Sequence, residues 1–453
     1  MPQAAATTVD TAAILREGAY YVLDDYAMRE EIYAKVKRAF FDGIEKLSGA
    51  DTRRKVEAAG LSRMHEHFPV TKLLLLEDYL LRTLQRDLFY WSFRVGREDL
   101  GLEGTFYVDH LIVMRIHYPF LIAREAKHVE KPKYRIWEKS RLAFAALKNV
   151  RLIANEISKA REQRKQKSGF DADAYHRRLP EVARAHGAHI DTWYGHSYDG
   201  VNLWWSIDGV NADNTMILYP GMFGYTYPFD PANMYLAEGV PVTKPHKIVP
   251  KPGQLLVFNP EMLHGTQVNI SNETRVVIST RLNPGQPRFD LSAAWNFEYW
   301  YSSDDLERRK FSAVTVFPAK DNRGKPSFEF KPGLPATEPR LIQIQGRLGH
   351  EDQKVCASAD LQNGEKIAVN FENAKVMLFR ANGSVHALGR ICPHLGYDMR
   401  AAHHDDQNIY CPGHGVAFSL ADGTSHCKAF TLRQYQVSES GGEIRLRRAS
   451  SDT

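Results

Sequence analysis

Residues 391–415 read ICPHLGYDMRAAHHDDQNIYCPGHG. A Cys-x-His pair, Cys392 and His394, opens the stretch, and a Cys-x-x-His pair, Cys411 and His414, closes it, with Cys411 seventeen positions after His394. Two thiolates and two imidazoles suit either a tetrahedral zinc ion or a two-iron, two-sulfur cluster whose second iron takes histidines in place of cysteines. Zinc fingers group Cys with Cys and His with His, whereas each loop here mixes the two. Each pair also sits on a tight Pro/Gly turn that lets the loop close over a cluster and aim backbone amides at its sulfurs. The cluster is the reading these residues favour.

The rest of the cysteine pattern agrees. The chain has four cysteines, Cys356, Cys392, Cys411 and Cys427, and none in its first 355 residues. A disulfide framework would be spread through a small secreted chain, so a metal site in a C-terminal module within a reducing, cytosolic setting is expected instead. Around the two loops, VMLFRANGSVHALGRICPHLG and YCPGHGVAFSLADGT resemble the Rieske ferredoxin family over about residues 353–448. The resemblance implies a 2Fe-2S cluster held by Cys392, His394, Cys411 and His414. No further cysteine flanks the loops, which points to the ferredoxin and oxygenase branch and to an electron carrier for an oxygenase. Cys356 and Cys427 fall outside the ligand pattern and are read as structural or incidental.

A Rieske module moves single electrons, so an acceptor is expected elsewhere in the chain. His189-Ile190-Asp191 is the candidate, because residues i and i+2 of a strand point the same way and present an imidazole and a carboxylate together. His264, 75 residues later at the end of PGQLLVFNPEMLH, would complete the two-His, one-carboxylate set of non-haem iron oxygenases. Arg275, eleven residues further on, opens the strand RVVISTR, and its guanidinium could grip a carboxylate bidentately. Arg281, of the same strand parity, is the reserve for that role, with an ion pair as its ordinary alternative.

HIDTW, NLWWSIDGVNADNTMILYPG and KPGQLLVFNPEMLHGTQVNISNETR together resemble the phytanoyl-CoA dioxygenase-like family of Fe(II)- and 2-oxoglutarate-dependent oxygenases, over roughly residues 185–285. That resemblance implies a double-stranded β-helix (jelly roll), Fe(II) on His189, Asp191 and His264, and 2-oxoglutarate anchored by Arg275, with O2 as oxidant. Tyr219-Pro220-Gly221-Met222 departs from the family's usual Pro-Gly-Ser-His at the pocket rim. Asp191 stands where related halogenases carry a small residue, which favours hydroxylation or a related C–H oxidation. The aromatic residues around the triad, Trp193, Tyr194, Trp204, Trp205, Tyr219, Phe223, Tyr225 and Tyr227, are read mainly as core. His110, His117, His196, His403 and His404 receive no role.

The expected class is α+β, mainly β. Residues 1–104 form a helical N-terminal region, with apolar residues at three- and four-residue spacing. Residues 105–290 form the jelly-roll core and carry a basic helical insertion at 123–184. Residues 291–350 connect, and 351–453 form a small all-β Rieske domain. At 453 residues more than one core is expected. Hydrophobic content of 43%, charged content of 25% and a net charge of +5 give no basic footprint for nucleic acid. The most apolar stretches are interrupted by charges and too short to span a bilayer, so no membrane anchor is visible, and MPQAAATTVDTAAILREG lacks a secretory pattern, so a cytoplasmic location is expected.

The expected partners are an organic small-molecule substrate and a ferredoxin reductase or other electron donor, with homo-oligomerisation left open. Two competing functions stand beside the 2-oxoglutarate oxygenase. One is a Rieske non-haem oxygenase driven by NAD(P)H-derived electrons, although the domain order and the missing Asp/Glu-x-x-His-x-x-x-x-His helix speak against it. The other is a redox-sensing binding protein, against which the intact His, Asp, His and Arg set speaks.

Overall fold

The computed structural model describes residues 9–132, 179–230, 234–290, 297–311, 314–318, 321–334, 339–425 and 430–449. Most of the basic insertion expected at 123–184, and Cys427, lie outside them.

Helices α1 (Thr11–Glu17), α2 (Arg29–Ser48), α3 (Ala50–Ala59) and α4 (Leu73–Glu98) occupy the N-terminal region. In α4, Leu73, Leu76, Leu80, Leu84, Leu88, Trp91 and Val95 recur every three or four residues, so one stripe faces inward and all are buried. This stripe covers one face of an eight-stranded sheet, where the Ser92 hydroxyl on α4 meets the Thr280 hydroxyl at 2.8 Å.

The sheet comprises β1 (Tyr20–Leu23), β2 (Tyr107–Asp109), β3 (Val113–His117), β4 (Val201–Asp208), β9 (Leu255–Phe258), β11 (Arg275–Asn283), β12 (Phe297–Ser302) and β13 (Thr315–Pro318). Its order is β1-β9-β4-β11-β2-β12-β13, with β3 also on β11. Residues 297–302 and 315–318 of the stretch read as a connection are thus strands of this sheet, β12 between β2 and β13 and β13 at its edge.

Alternation along β11 divides its residues. Val276, Ile278, Thr280 and Leu282 face the helices, while Arg275, Val277, Ser279 and Arg281 face the opposite way. On that second side lies a three-stranded sheet, β10-β5-β8, made of β5 (Met216–Leu218), β8 (His246–Ile248) and β10 (His264–Thr266). Trp204, Leu256, Phe258 and Val277 of the large sheet pack with Met216, Leu218 and Ile248 of the small one. A short hairpin, β6 (Phe229–Asp230) and β7 (Tyr235–Leu236), lies between β5 and β8 in sequence.

The C-terminal module has its own core. One sheet runs β14 (Leu341–Gln343), β16 (Lys366–Phe371), β17 (Ala374–Ala381), β18 (Ser384–Gly389); a second runs β15 (Gln353–Ala357), β22 (Glu443–Arg448), β21 (Tyr435–Ser440). Ile367, Val369, Val376, Leu378, Ile444 and Leu446 fill the space between them, together with buried Cys356. A hairpin of β19 (Asn408–Tyr410) and β20 (Ala417–Ser419) carries the second ligand loop. The two modules are not separate globules, because Phe120, Ala123 and Val182 share one apolar cluster with Leu395, Tyr397, Phe418 and Phe430.

Candidate metal centres

His189 and His264 form an antiparallel bridge in which each amide donates to the other's carbonyl, at 2.8 and 2.9 Å. The bridge sets the imidazoles side by side, with ring centroids 4.4 Å apart. Asp191 does not continue a strand. It opens the turn Asp191–Tyr194, with its amide held by the Pro260 carbonyl at 3.0 Å, and this turn brings the carboxylate round to the histidines. The three ligand atoms lie within 4.8 Å of one another, and all three residues are buried. Asp191 Oδ1 is 3.6 Å from His189 Nε2 and 3.8 Å from His264 Nε2.

The surroundings fix which atoms face the centre. His189 Nδ1 donates to the Gly187 carbonyl at 2.6 Å and His264 Nδ1 to the Met262 carbonyl at 2.8 Å. Carbonyls only accept, so the lone pairs sit on Nε2. The other carboxylate oxygen, Asp191 Oδ2, accepts from Asn202 Nδ2 at 2.8 Å and from Arg281 Nη2 at 3.0 Å. Asn202 and Arg281 are direct partners across β4 and β11, both on the inward face. Burial opposes charge on Asp191, but the Arg281 guanidinium and His264 outweigh it and hold the carboxyl well below its usual range. Burial, helped by His189, pushes His264 down to about 4, which leaves a neutral imidazole near pH 7. Two imidazole lone pairs and one carboxylate oxygen converging in a dry site fit Fe(II).

Arg281 also donates to Asn202 Oδ1 from Nε and to Asp109 Oδ2 and His196 Nδ1 from Nη1, each at 2.9 Å. Arg275 lies on the same inward face, 1% exposed, and donates from Nη2 to His117 Nδ1 at 2.9 Å and from Nη1 to the Asn214 carbonyl. Neither partner is a carboxylate. Arg115, facing the same way from β3, lies opposite Val277 just as His117 lies opposite Arg275. Burial and the nearby Arg115 push Arg275 down to about 9. This corner gathers positive charge, and Glu77 is the carboxylate whose field reaches Arg115.

Glu261, beside the Asp191 turn, carries an observable consequence of burial, which pushes its carboxyl up to about 8, with Asp191 adding to the rise. The folded state therefore keeps a proton that the unfolded chain releases above the ordinary value near 4.5. Stability is fully present below that value and falls as pH rises toward 8. Glu261→Gln should raise the melting temperature at pH 8 and leave it nearly unchanged at pH 4.5; an equal gain at both would contradict this.

In the C-terminal module the two ligand loops repeat one hydrogen-bond pattern. The Cys392 amide donates to the Tyr397 carbonyl and the Gly396 amide to Cys392; Cys411 bonds Val416 and Gly415 bonds Cys411 in the same way, all at 2.8–2.9 Å. Each loop is thus a self-contained turn that raises its ligands toward the other. The amides of His394 and Leu395 point at the Cys392 sulfur, and those of Gly413 and His414 at Cys411. The ring centroids of His394 and His414 are 4.9 Å apart, and all four ligand residues are at most 2% exposed. This mixed donor set with amides aimed at the sulfurs fits a 2Fe-2S cluster.

Sequence reading gives several residues around these centres no role and names Arg281 only as the reserve for the co-substrate. Asn202 and Arg281 orient Asp191, and His117 pairs with Arg275. His186 and Tyr235 stand between the centres: His186 lies 5.9 Å from the His189 ring and 6.5 Å from Tyr235, itself 5.9 Å from His414. Nothing local in the sequence marks them.

Residues 351–436 match the Rieske [2Fe-2S] domain family, and this part of the chain is a Rieske domain. It is 38% identical over 69 residues to apoptosis-inducing factor 3 of Mus musculus, a stretch covering 15% of this chain and 11% of that relative, so the chain spans about a tenth of that protein. It is 25% identical over 83 residues to the ferredoxin component of the naphthalene 1,2-dioxygenase system of Pseudomonas putida, covering 18% of this chain and 80% of that protein. Among solved structures, a complex of reduced oxygenase and oxidized ferredoxin in carbazole 1,9a-dioxygenase is 27% identical, covering 22% of this chain and 94% of the other at a TM-score of 0.21. Among the described residues no helix is long and apolar enough to cross a membrane.

Proposed function

We propose that this protein is an Fe(II)- and 2-oxoglutarate-dependent oxygenase of an organic small molecule, whose Rieske domain supplies electrons that keep the non-haem iron ferrous. The observation that carries the reading is the convergence of His189 Nε2, His264 Nε2 and Asp191 Oδ1, with every other donor and acceptor of the three side chains committed to the protein. Iron bound there would activate O2, with 2-oxoglutarate leaving as succinate and CO2 and one oxygen atom entering the substrate.

The protein's own groups would do the rest. Met262 and Gly187 carbonyls hold the imidazoles in the right tautomer, and Asn202 and Arg281 fix the carboxylate. Arg275 and Arg115 supply positive charge that a dicarboxylate would neutralise, and the two facing sheets of the first module are compatible with a jelly roll. Because 2-oxoglutarate already brings two electrons, the Rieske domain would serve to restore iron that has slipped to the ferric state in turnovers uncoupled from substrate.

The test is anaerobically purified protein assayed for iron-dependent succinate release, with electron paramagnetic resonance on the dithionite-reduced sample. A Rieske signal with succinate release supports the reading. A Rieske signal without succinate overturns 2-oxoglutarate dependence and favours oxygenation driven by electrons from a reductase. Arg275→Leu should raise the 2-oxoglutarate concentration needed for half-maximal rate by about 10–100-fold, the loss of a charged hydrogen-bonding anchor. The fold should tolerate it, since the change removes a buried cation that no carboxylate among the described residues pairs. An unchanged requirement would remove Arg275 from the co-substrate site.

A further inference from the structure

We infer that the electron passes from cluster to iron within one chain, crossing where the Ala188 amide donates to the Gly413 carbonyl at 2.8 Å. The inference rests on the proposed function and names its internal route. Gly413 immediately precedes the cluster ligand His414, and Ala188 immediately precedes the triad ligand His189. One hydrogen bond therefore joins residues directly bonded to a ligand of each centre.

The junction is tight and dry. Ala188 and His414 are both 0% exposed. A side-chain carbon on Gly187 would come within 2.8 Å of the Tyr235 ring and 3.1 Å of the Gly413 carbonyl oxygen, so only glycine lets the two backbones approach this closely. The Ala188 carbonyl accepts from the Leu236 amide at 2.7 Å, and the Leu236 carbonyl accepts from the Tyr397 hydroxyl of the Rieske domain at 3.2 Å. Both cluster histidines are covered by the first module, His414 by the edge of Tyr235 and His394 by Phe120, with ring centroids 5.9 and 5.7 Å apart. Both cluster histidines thus lie against the first module, which carries the triad.

The step itself is a one-electron exchange. The reduced cluster loses one electron, ferric iron on His189, Asp191 and His264 gains it and becomes ferrous, and no bond forms or breaks. An external one-electron donor of the reductase class reloads the cluster.

Proximity is tested first on full-length protein without turnover. With the triad loaded with Co(II), followed by its visible absorption, the paramagnetic resonance signal of the reduced cluster should relax faster than with diamagnetic Zn(II). Cobalt bound but cluster relaxation identical to zinc would overturn the route and leave the oxygenase reading intact. A triad that takes up neither cobalt nor iron would overturn both.

The intrachain character is tested by mixing. Ferric-loaded Cys411→Ser chains, which lack the cluster, are combined with His264→Ala chains carrying a reduced cluster. Wild-type protein should reduce its ferric iron at a rate independent of protein concentration, and the mixture should lose that reaction. Reduction in the mixture as fast as in wild type would overturn the inference. Gly187→Ala, which keeps every ligand, should slow the wild-type rate with both centres loaded; an unaltered rate would remove the Gly413–Ala188 crossing.

Discussion

An Arg281→Met chain is expected to lose most of its triad iron and a large part of its stability. Arg281 is 11% exposed and bridges two carboxylates, Asp191 and Asp109, whose side chains are 8% and 2% exposed. Methionine fills similar space but leaves both acids buried without their shared cation. Removing one partner of a buried ion pair costs about 3–5 kcal/mol, a sizeable share of what holds a domain folded. Loss of a group that orients a metal ligand typically lowers metal affinity by about 10–100-fold.

A pH dependence should appear as well. In the wild type both acids are held low against burial, Asp191 by Arg281 and His264, and Asp109 by His110 and Arg281. Their contribution is present above the ordinary carboxylate range and lost only in acid, so it does not vary between pH 5 and 8. In the variant burial acts with less opposition and raises both groups, so stability falls as pH rises through neutrality. Melting curves at pH 5 and 8, with iron titrations at each, would read both effects. Arg281→Lys keeps the charge but not the fork that reaches both acids, and should fall between. A methionine variant with unchanged melting and iron binding would show that Asp191 is oriented by Asn202 alone.

What sequence could disclose followed the range of the interactions. The cluster ligands were legible because all four lie within one short stretch, and each loop closes on itself through hydrogen bonds between near neighbours. Helix α4 was legible because leucine spacing records its buried stripe directly. His189, Asp191 and His264 could be paired by pattern, but Asp191 reaches the centre through a turn and not by strand alternation. The parity of Arg281 on β11 suits a reserve co-substrate anchor or an ion pair, and sequence does not decide between them, since its partners Asp191 and Asp109 come from segments far away in the chain. Gly187, Ala188 and Gly413 are small residues with no chemical signature, and their importance exists only once two modules press backbone against backbone.

That contact governs the second large effect: a chain cut after residue 340 is expected to be poorly soluble and to melt at a markedly lower temperature. The Rieske domain covers apolar surface of the first module at several points. The Phe120 and Phe430 rings are 5.0 Å apart, Gly415 packs on Ile217, and the Asp398 amide donates to Glu238 Oε1 at 2.6 Å. Removal would uncover Phe120, Ala123, Ile217, Leu236 and Val242, all buried in the whole chain, as one patch of the kind that drives association. The Ala188 amide and the Leu236 carbonyl would lose partners in the same place. Sedimentation and thermal melting of the shortened chain read this outcome, and a monomer with an unshifted transition would show that the two modules fold independently. Cys411→Ser provides the contrast, because it removes a cluster ligand while leaving Phe430, Tyr397 and Asp398 in place to hold the interface. If the serine variant stays soluble and binds triad iron but turns ferric after a few uncoupled turnovers, while the shortened chain aggregates, then the Rieske domain serves the first module in two separable ways, as an electron source and as the cover of its core.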